Sequence, residues 1–303
     1  MADVKLISTQ RLIGEYAVTH ADPFVAFTDS QSKDDVVVAT IARMDRLDSP
    51  VRTVELAVGA ELRAFSAVGD RVAYSIGDQL FVIDAKRPAR LVSESCSEHR
   101  VAFFGATQRL AWITSAHELC AEGFEAVPLA DEDASSVFGH PTQDVLLVET
   151  YVPQDSITIH RFRVEANALV GEVWHEGDPS CGLEVVGFDG HAHNFTIDDR
   201  ELWRGRTGHG DTPALSWEVE DFEGLRGACS SDYVLVYDGH SDAPHVKIRK
   251  SDYSDEPIDL TLPSTAGERF YWAEIGNGPI ILACFATAQK DVDELRAYAL
   301  AQQ

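Results

Sequence analysis

The sequence predicts an all-β chain of 303 residues in which a four-stranded antiparallel sheet recurs seven times and the repeats close on themselves. Three observations carry that expectation. The stretch from Glu61 to Cys96 reads as four consecutive strands, ELRAFSAVG, DRVAYSIG, DQLFVIDA and RLVSESC. Its first two junctions, Gly69-Asp70 and Gly77-Asp78, supply the positive φ that a tight hairpin needs. A motif of its second strand, Val72-Ala73-Tyr74, returns as Val25-Ala26-Phe27 and as Leu110-Ala111-Trp112. Third strands open on a polar residue, any residue and an aliphatic; the aliphatic positions Val37, Leu80, Leu119, Ile157, Leu202, Val246 and Leu295 are spaced 43, 39, 38, 45, 44 and 49 residues apart. One meander exposes two apolar faces and is not stable alone, whereas a period of ~40–50 residues is that of a propeller blade. The fold class is therefore a seven-bladed β-propeller of four-stranded antiparallel blades.

In order, the blades are expected over residues 11–59, 60–96, 97–131, 132–177, 178–221, 222–264 and 265–303. All belong to one domain, because Pro, Gly and Asp clusters recur at blade spacing and mark no single boundary. Fourth strands fall at Arg52 to Val58, Ala89 to Glu94, Glu125 to Ala130, Leu169 to His175, Ala214 to Val219 and Pro257 to Leu262. The last blade has no sequence left for a fourth strand after Leu300. The unassigned segment Asp3 to Ser8, within residues 1–9, is expected to supply it by pairing with Asp293 to Leu300, since an open last sheet would expose a full unpaired edge. The stretch Asp291 to Gln303 has helix formers throughout, but Asp293-Glu294-Leu295 matches the third-strand pattern and is read as strand.

With the repeat in hand, LFVIDAKRPARL (Leu80 to Leu91) is similar to the strand, Asp, Pro-containing turn, strand pattern of bacterial β-propeller repeats. The chain resembles the β-propeller superfamily in a WD-repeat-like architecture. It has no Trp-Asp dipeptide and no Gly-His at a fixed place in each blade, so the resemblance implies the fold without a specific family.

Composition narrows the function classes. The 50 acidic against 25 basic residues give a formal charge of -25, which repels phosphate backbones and anionic headgroups alike, so neither nucleic acid nor membrane is an expected partner. The N-terminus lacks an apolar run of signal-peptide length, and the longest apolar stretch, Ile280 to Ala288, is too short to cross a bilayer. A soluble cytoplasmic protein is expected. The five scattered cysteines form no CxxC pair, which points to reduced thiols rather than a disulfide framework.

Few residues point to chemistry. His191 and His193 stand two apart and would project from one face of a strand, as chelating histidines do, but no third ligand is evident nearby. They remain weak metal candidates beside the simpler reading of two rim histidines. No GxSxG elbow is present, and Gly205-Arg206-Thr207-Gly208-His209-Gly210 links two strands without opening a helix. No catalytic residue and no cofactor is therefore implied.

The position of the charges is more informative. In a propeller, the loops from fourth to next first strand and from second to third strand share one face. That face is expected to be strongly negative, collecting Asp131, Glu132, Asp133, Asp178, Asp198, Asp199 and Asp221 among other acids. The opposite face gathers Arg46, Lys86, Arg87, Arg109, Arg206 and Lys250 and should be nearly neutral. The expected function is a non-enzymatic interaction module, a scaffold or regulatory subunit, that presents those seven loop carboxylates to a basic protein segment. The alternative is a hydrolase or lyase acting at the channel mouth with a divalent metal.

Overall fold

The computed structural model describes residues 4–28, 36–85, 87–97, 101–129, 133–152, 156–177, 183–189, 193–198, 200–206, 215–219, 222, 224–239 and 241–300. Among them every regular element is a strand. The chain opens with β1 (Val4–Ile13), β2 (Ala17–Ala21), β3 (Phe24–Thr28), β4 (Val37–Arg43) and β5 (Arg52–Leu56). There follow β6 (Glu61–Phe65), β7 (Arg71–Ile76), β8 (Gln79–Asp84), β9 (Arg90–Ser93), β10 (Val101–Phe104), β11 (Arg109–Ile113), β12 (Glu118–Ala121) and β13 (Val127–Pro128). Next come β14 (Asp133–Gly139), β15 (Val145–Val152), β16 (Ser156–Glu165), β17 (Ala168–Gly177), β18 (Glu184–Phe188), β19 (His193–Asp198), β20 (Glu201–Arg206) and β21 (Leu215–Glu218). The chain finishes with β22 (Leu225–Cys229), β23 (Tyr233–Asp238), β24 (His245–Lys250), β25 (Ile258–Thr261), β26 (Arg269–Gly276), β27 (Ile280–Ala286) and β28 (Val292–Leu300).

These strands form seven four-stranded antiparallel sheets, the blades of a β-propeller. Six are meanders of consecutive strands, and the seventh runs β1-β28-β27-β26, with the N-terminal strand outermost. Each of the seven predicted aliphatic positions lies in the third strand of its sheet. The closing strand is longer than expected: it continues past Ser8 to Ile13, pairing Val4 with Leu300 at one end and Ile13 with Val292 at the other. Ladders on both sides of Val292–Leu300, to β1 and to β27, override its helix propensity. At the other extreme β13 is only Val127–Pro128, with one further ladder bond beyond it, from Leu129 N to His117 O (2.9 Å).

Two compact units are distinguished, one of Met1–Gly59 with Glu218–Gln303 and one of Ala60–Trp217. In the first, Leu235, Ile248, Ile275, Phe285 and Tyr298 fill the layer between the β22–β25 and closing sheets. Leu12, Val25, Phe27, Met44 and Leu295 fill the layer between the closing sheet and β2–β5. In the second, Phe104, Ile113, Leu146 and Phe162 join the third and fourth blades, and Leu147, Ile159, Trp174 and Val185 join the fourth and fifth. In the middle blade of the first unit and in the third blade a neighbouring sheet of the same unit covers each face of the second strand. That is why β27 reads as a nearly unbroken apolar run, and why β11 and β27 carry buried alanines, Ala111 and Ala283, at their centres.

Charged side chains stitch the layers. In the second unit Arg71 donates from Nε to Asp84 (2.8 Å) and from Nη2 to Glu122 (2.9 Å) in the adjacent sheet. The Gln108 amide accepts from Ala67 N (2.7 Å) and donates to Pro141 O (2.7 Å), joining turns of three successive blades. In the first unit Arg296 on β28 grips Glu268 ahead of β26 and Glu294 beside it, all three nearly buried. The bonds from Arg296 hold the Glu268 carboxyl down at about 2 although burial opposes it. Ser8 Oγ of β1 accepts from Leu47 N (2.9 Å), tying the closing strand to the neighbouring blade of the same unit.

Two outcomes are expected. Deleting residues 1–13 removes β1 and leaves the β28 edge bare, so circular dichroism on heating should show a much lower midpoint or no cooperative transition. A depressed carboxyl stabilises the fold above its unfolded value and loses that contribution as pH falls through its folded one. Wild-type stability in urea should therefore decline between about pH 4.5 and about pH 2. Glu268→Gln should be less stable at pH 7 by about 1–3 kcal/mol and should flatten that decline.

Candidate functional site

Of the carboxylates expected to meet a partner, Asp131, Glu132, Asp178, Asp199 and Asp221 lie outside the described residues, as does His191. Asp133 is the first residue of β14 and pairs with Tyr151. Asp198 ends β19, and its Oδ2 lies 3.1 Å from His175 Nε2 on β17, with both side chains largely covered. That carboxylate bridges two sheets of the second unit rather than standing in a loop.

His193 opens β19 and is held between a carboxylate and a guanidinium. Nδ1 lies 2.8 Å from Asp189 Oδ2, while Arg204 Nη2 lies 3.2 Å from Nδ1 and 3.0 Å from Nε2, near-equal distances that set it against the ring face. Among the described residues no group of three His, Cys, Asp or Glu side chains is arranged to hold a metal ion.

A different polar set comes together in the first unit, where the first strands of its three blades end. First strands are the innermost strands of a propeller blade. His20, near the end of β2, places Nε2 3.2 Å from Glu274 Oε2 on β26. In the turn after β2, Asp22 Oδ1 accepts from the backbone N–H of Asn277 (3.1 Å), in the turn after β26. Ser231, in the turn after β22, faces Asn277 Nδ2 at 3.5 Å. Gly276 makes this approach possible: a Cβ there would lie 2.9 Å from Met44 Sδ and 3.0 Å from Asp22 Oδ1.

The electrostatics of this cluster are unusual for so acidic a chain. Burial raises the Asp22 carboxyl above the ordinary aspartate value, only partly opposed by the Asn277 N–H and by His20, while Asp232 raises it further. Burial raises Glu274 as well, with His20 the opposing influence. The cluster can hold a proton or a cationic group. It supplies no activated nucleophile, since Ser231 Oγ meets an amide rather than a base. Asp22, Ser231, Asp232 and Asn277 sit in first-to-second-strand turns, on the face expected to be closer to neutral. The available signal was an Asp or Asn in that turn of three blades (Asp22, Asp232, Asn277), which sorting charges by loop face passes over.

An acid whose folded value is raised costs stability as pH rises through that value. Asp22→Asn removes the charge and keeps an acceptor for the Asn277 N–H. The variant should match or exceed wild type at pH 7 by up to about 1 kcal/mol in urea melts. A loss larger than that would mean that the ionised carboxylate is well compensated.

No family model and no curated protein matches the chain. Solved structures do. A chain of the mitotic checkpoint complex superposes with a TM-score of 0.62 at 10% identity, covering 100% of this chain and 97% of that one. Raptor from Chaetomium thermophilum superposes with a TM-score of 0.60 at 10% identity over 98% of this chain, which spans only 29% of the Raptor chain. At this identity the two likenesses establish the propeller fold and no family within it.

Proposed function

We propose that this chain is a non-enzymatic protein-interaction module, a scaffold or regulatory subunit, that presents acidic loops to a basic segment of its partner. The carrying observation is how the bases are used. Arg71, Arg161, Arg163 and Arg296 lie against carboxylates with little exposed surface, while the chain holds twice as many acids as bases. Pairing every base with one acid would still leave half the acids without a cation. Loop carboxylates contribute to that remainder, and their summed field accelerates encounter with a cationic chain even though each exposed pair contributes only ~0.2–1 kcal/mol. A solved neighbour that is part of a checkpoint complex supports a role in an assembly.

The residues proposed to meet the partner are Asp131, Glu132, Asp133, Asp178, Asp199 and Asp221; Asp198 contributes less, because His175 already holds it. With a partner recovered by pulldown, stopped-flow association should slow about tenfold at low salt when Asp131, Glu132 and Asp133 are changed together to Lys. Dissociation should change less, and added salt should narrow the difference. Changing Lys86 and Arg87 to Glu should have little effect. A partner whose association is indifferent to salt, or that is lost with the Lys86 and Arg87 variant instead, overturns this reading.

A further inference from the structure

Every sheet ends in an outer strand whose far side has no strand partner among the described residues, and native proteins protect such edges with charge, proline or brevity. Here the protection is visible strand by strand. Arg52 and Glu55 lie in β5, Arg90 in β9, Glu218 in β21, Asp259 in β25, and Lys5 with Arg11 in β1. The strand β13 is two residues long and contains Pro128.

The exception is β17, ten residues long with no Lys, Arg or Pro, where the equally base-free β21 and β25 run only four; its charges are Glu172 and Glu176. A bulge at Trp174 interrupts its ladder, since Ile159 pairs with His175 while His160 pairs with Val173. The bulge leaves Ala168 to Val173 as a continuous straight edge. Its single charge, Glu172, is held by Arg161 and Arg163 of β16. Val170 and Val173 on this edge are 46% and 60% exposed.

The edge also borders a cleft. Val127, Pro128, Leu129, Phe162, Gly171 and Val173, together with His160 and Glu172, line about 320 Å³ between β13 and the outer strands of the next sheet. The shortness of β13 leaves it open. At Gly171 a Cβ would fall 2.4 Å from the Phe162 ring, so the ring lies flat against bare backbone and forms the floor. The volume is at the low end of ligand pockets and suits one or two branched side chains, not a cofactor.

We infer that the β17 edge from Ala168 to Val173 is a strand-addition site for an extended segment of a partner protein, apolar at alternate positions and flanked by Lys or Arg. Backbone N–H and C=O groups of β17 supply the pairing, and one apolar side chain of the incoming strand enters the cleft. The flanking charge follows from exposed Glu125, Glu165 and Glu176 around the edge. A second copy of this chain is a poor occupant, because each copy carries a formal charge of -25. Neither the edge from Ala168 to Val173 nor the cleft lining includes a residue of the acidic loop set.

The probe is a capped nine-residue peptide alternating Lys and Val, compared with the same peptide carrying Pro at its central Val. Both are titrated into the full chain by fluorescence polarisation, with hydrogen exchange followed at backbone amides. The alternating peptide should bind and slow exchange within Ala168 to Val173, and the Pro peptide, with a donor removed and equal charge, should bind about tenfold more weakly. Val170→Asn with Val173→Asn, both at exposed positions and neutral, should weaken binding about fivefold while leaving the melting curve within the range of surface substitutions. The combined Lys variant at Asp131, Glu132 and Asp133 should keep the protection of β17. The inference is overturned by no binding, by equal affinity for the Pro peptide, by unchanged exchange at Ala168 to Val173, or by binding that disappears only in the loop variant.

Discussion

The pairing of β1 with β28 is the constraint on which the other layers of its unit depend. Val4 and Leu300 are register partners although they lie at opposite ends of the described chain. Without that ladder β28 would present unpaired N–H and C=O groups along its length, and Leu12, packed with Leu295 and Ala297, would leave the core. The ladder also sets the register of its neighbours. Ser8 must reach Leu47, and Arg296 must reach Glu268, for the closing sheet to lock against the blades beside it. Loop closure across almost the whole chain is slow and entropically costly, so the gain has to come from many contacts formed together.

Charge is arranged in two ways. Bases are drawn inward: Arg71 reaches two carboxylates and a carbonyl, and Arg296 lies between Glu268 and Glu294 and over the Phe285 ring. These arginines hold layers together because a planar guanidinium meets several acceptors at once. The chain keeps a formal charge of -25, and two acids, Asp22 and Glu274, are held where burial disfavours their charge. It thus combines a strongly negative net charge with a desolvated acidic cluster at the ends of first strands.

The candidate sites were legible in the sequence to unequal degrees. A HxH pair such as His191 and His193 looks the same whether the imidazoles bind metal or brace a turn. The structure sets the second member between the Asp189 carboxylate and the Arg204 guanidinium, neither of which the pattern names. Asp198 looked like one more loop acid until folding set His175 beside it from a strand 23 residues earlier. The His20, Glu274, Asp22 and Asn277 group was invisible, since its two halves are more than 250 residues apart in sequence and meet only when the last blade returns to the first.

What the sequence determined by itself was the repeat. The period of about 40–50 residues, the alternating strands, and Gly69 and Gly77 at hairpin junctions are local properties, and each fixes strand direction within a few residues. The need for a closing strand was also legible, because a blade short of its fourth strand leaves an edge that physics disfavours. Tertiary structure decided the rest: how far β1 extends, which polar side chains are consumed in bridging layers, and which outer strand is left unprotected. These depend on side chains brought together from distant blades. Burial and pairing at a given residue are set by neighbours that the local pattern does not contain.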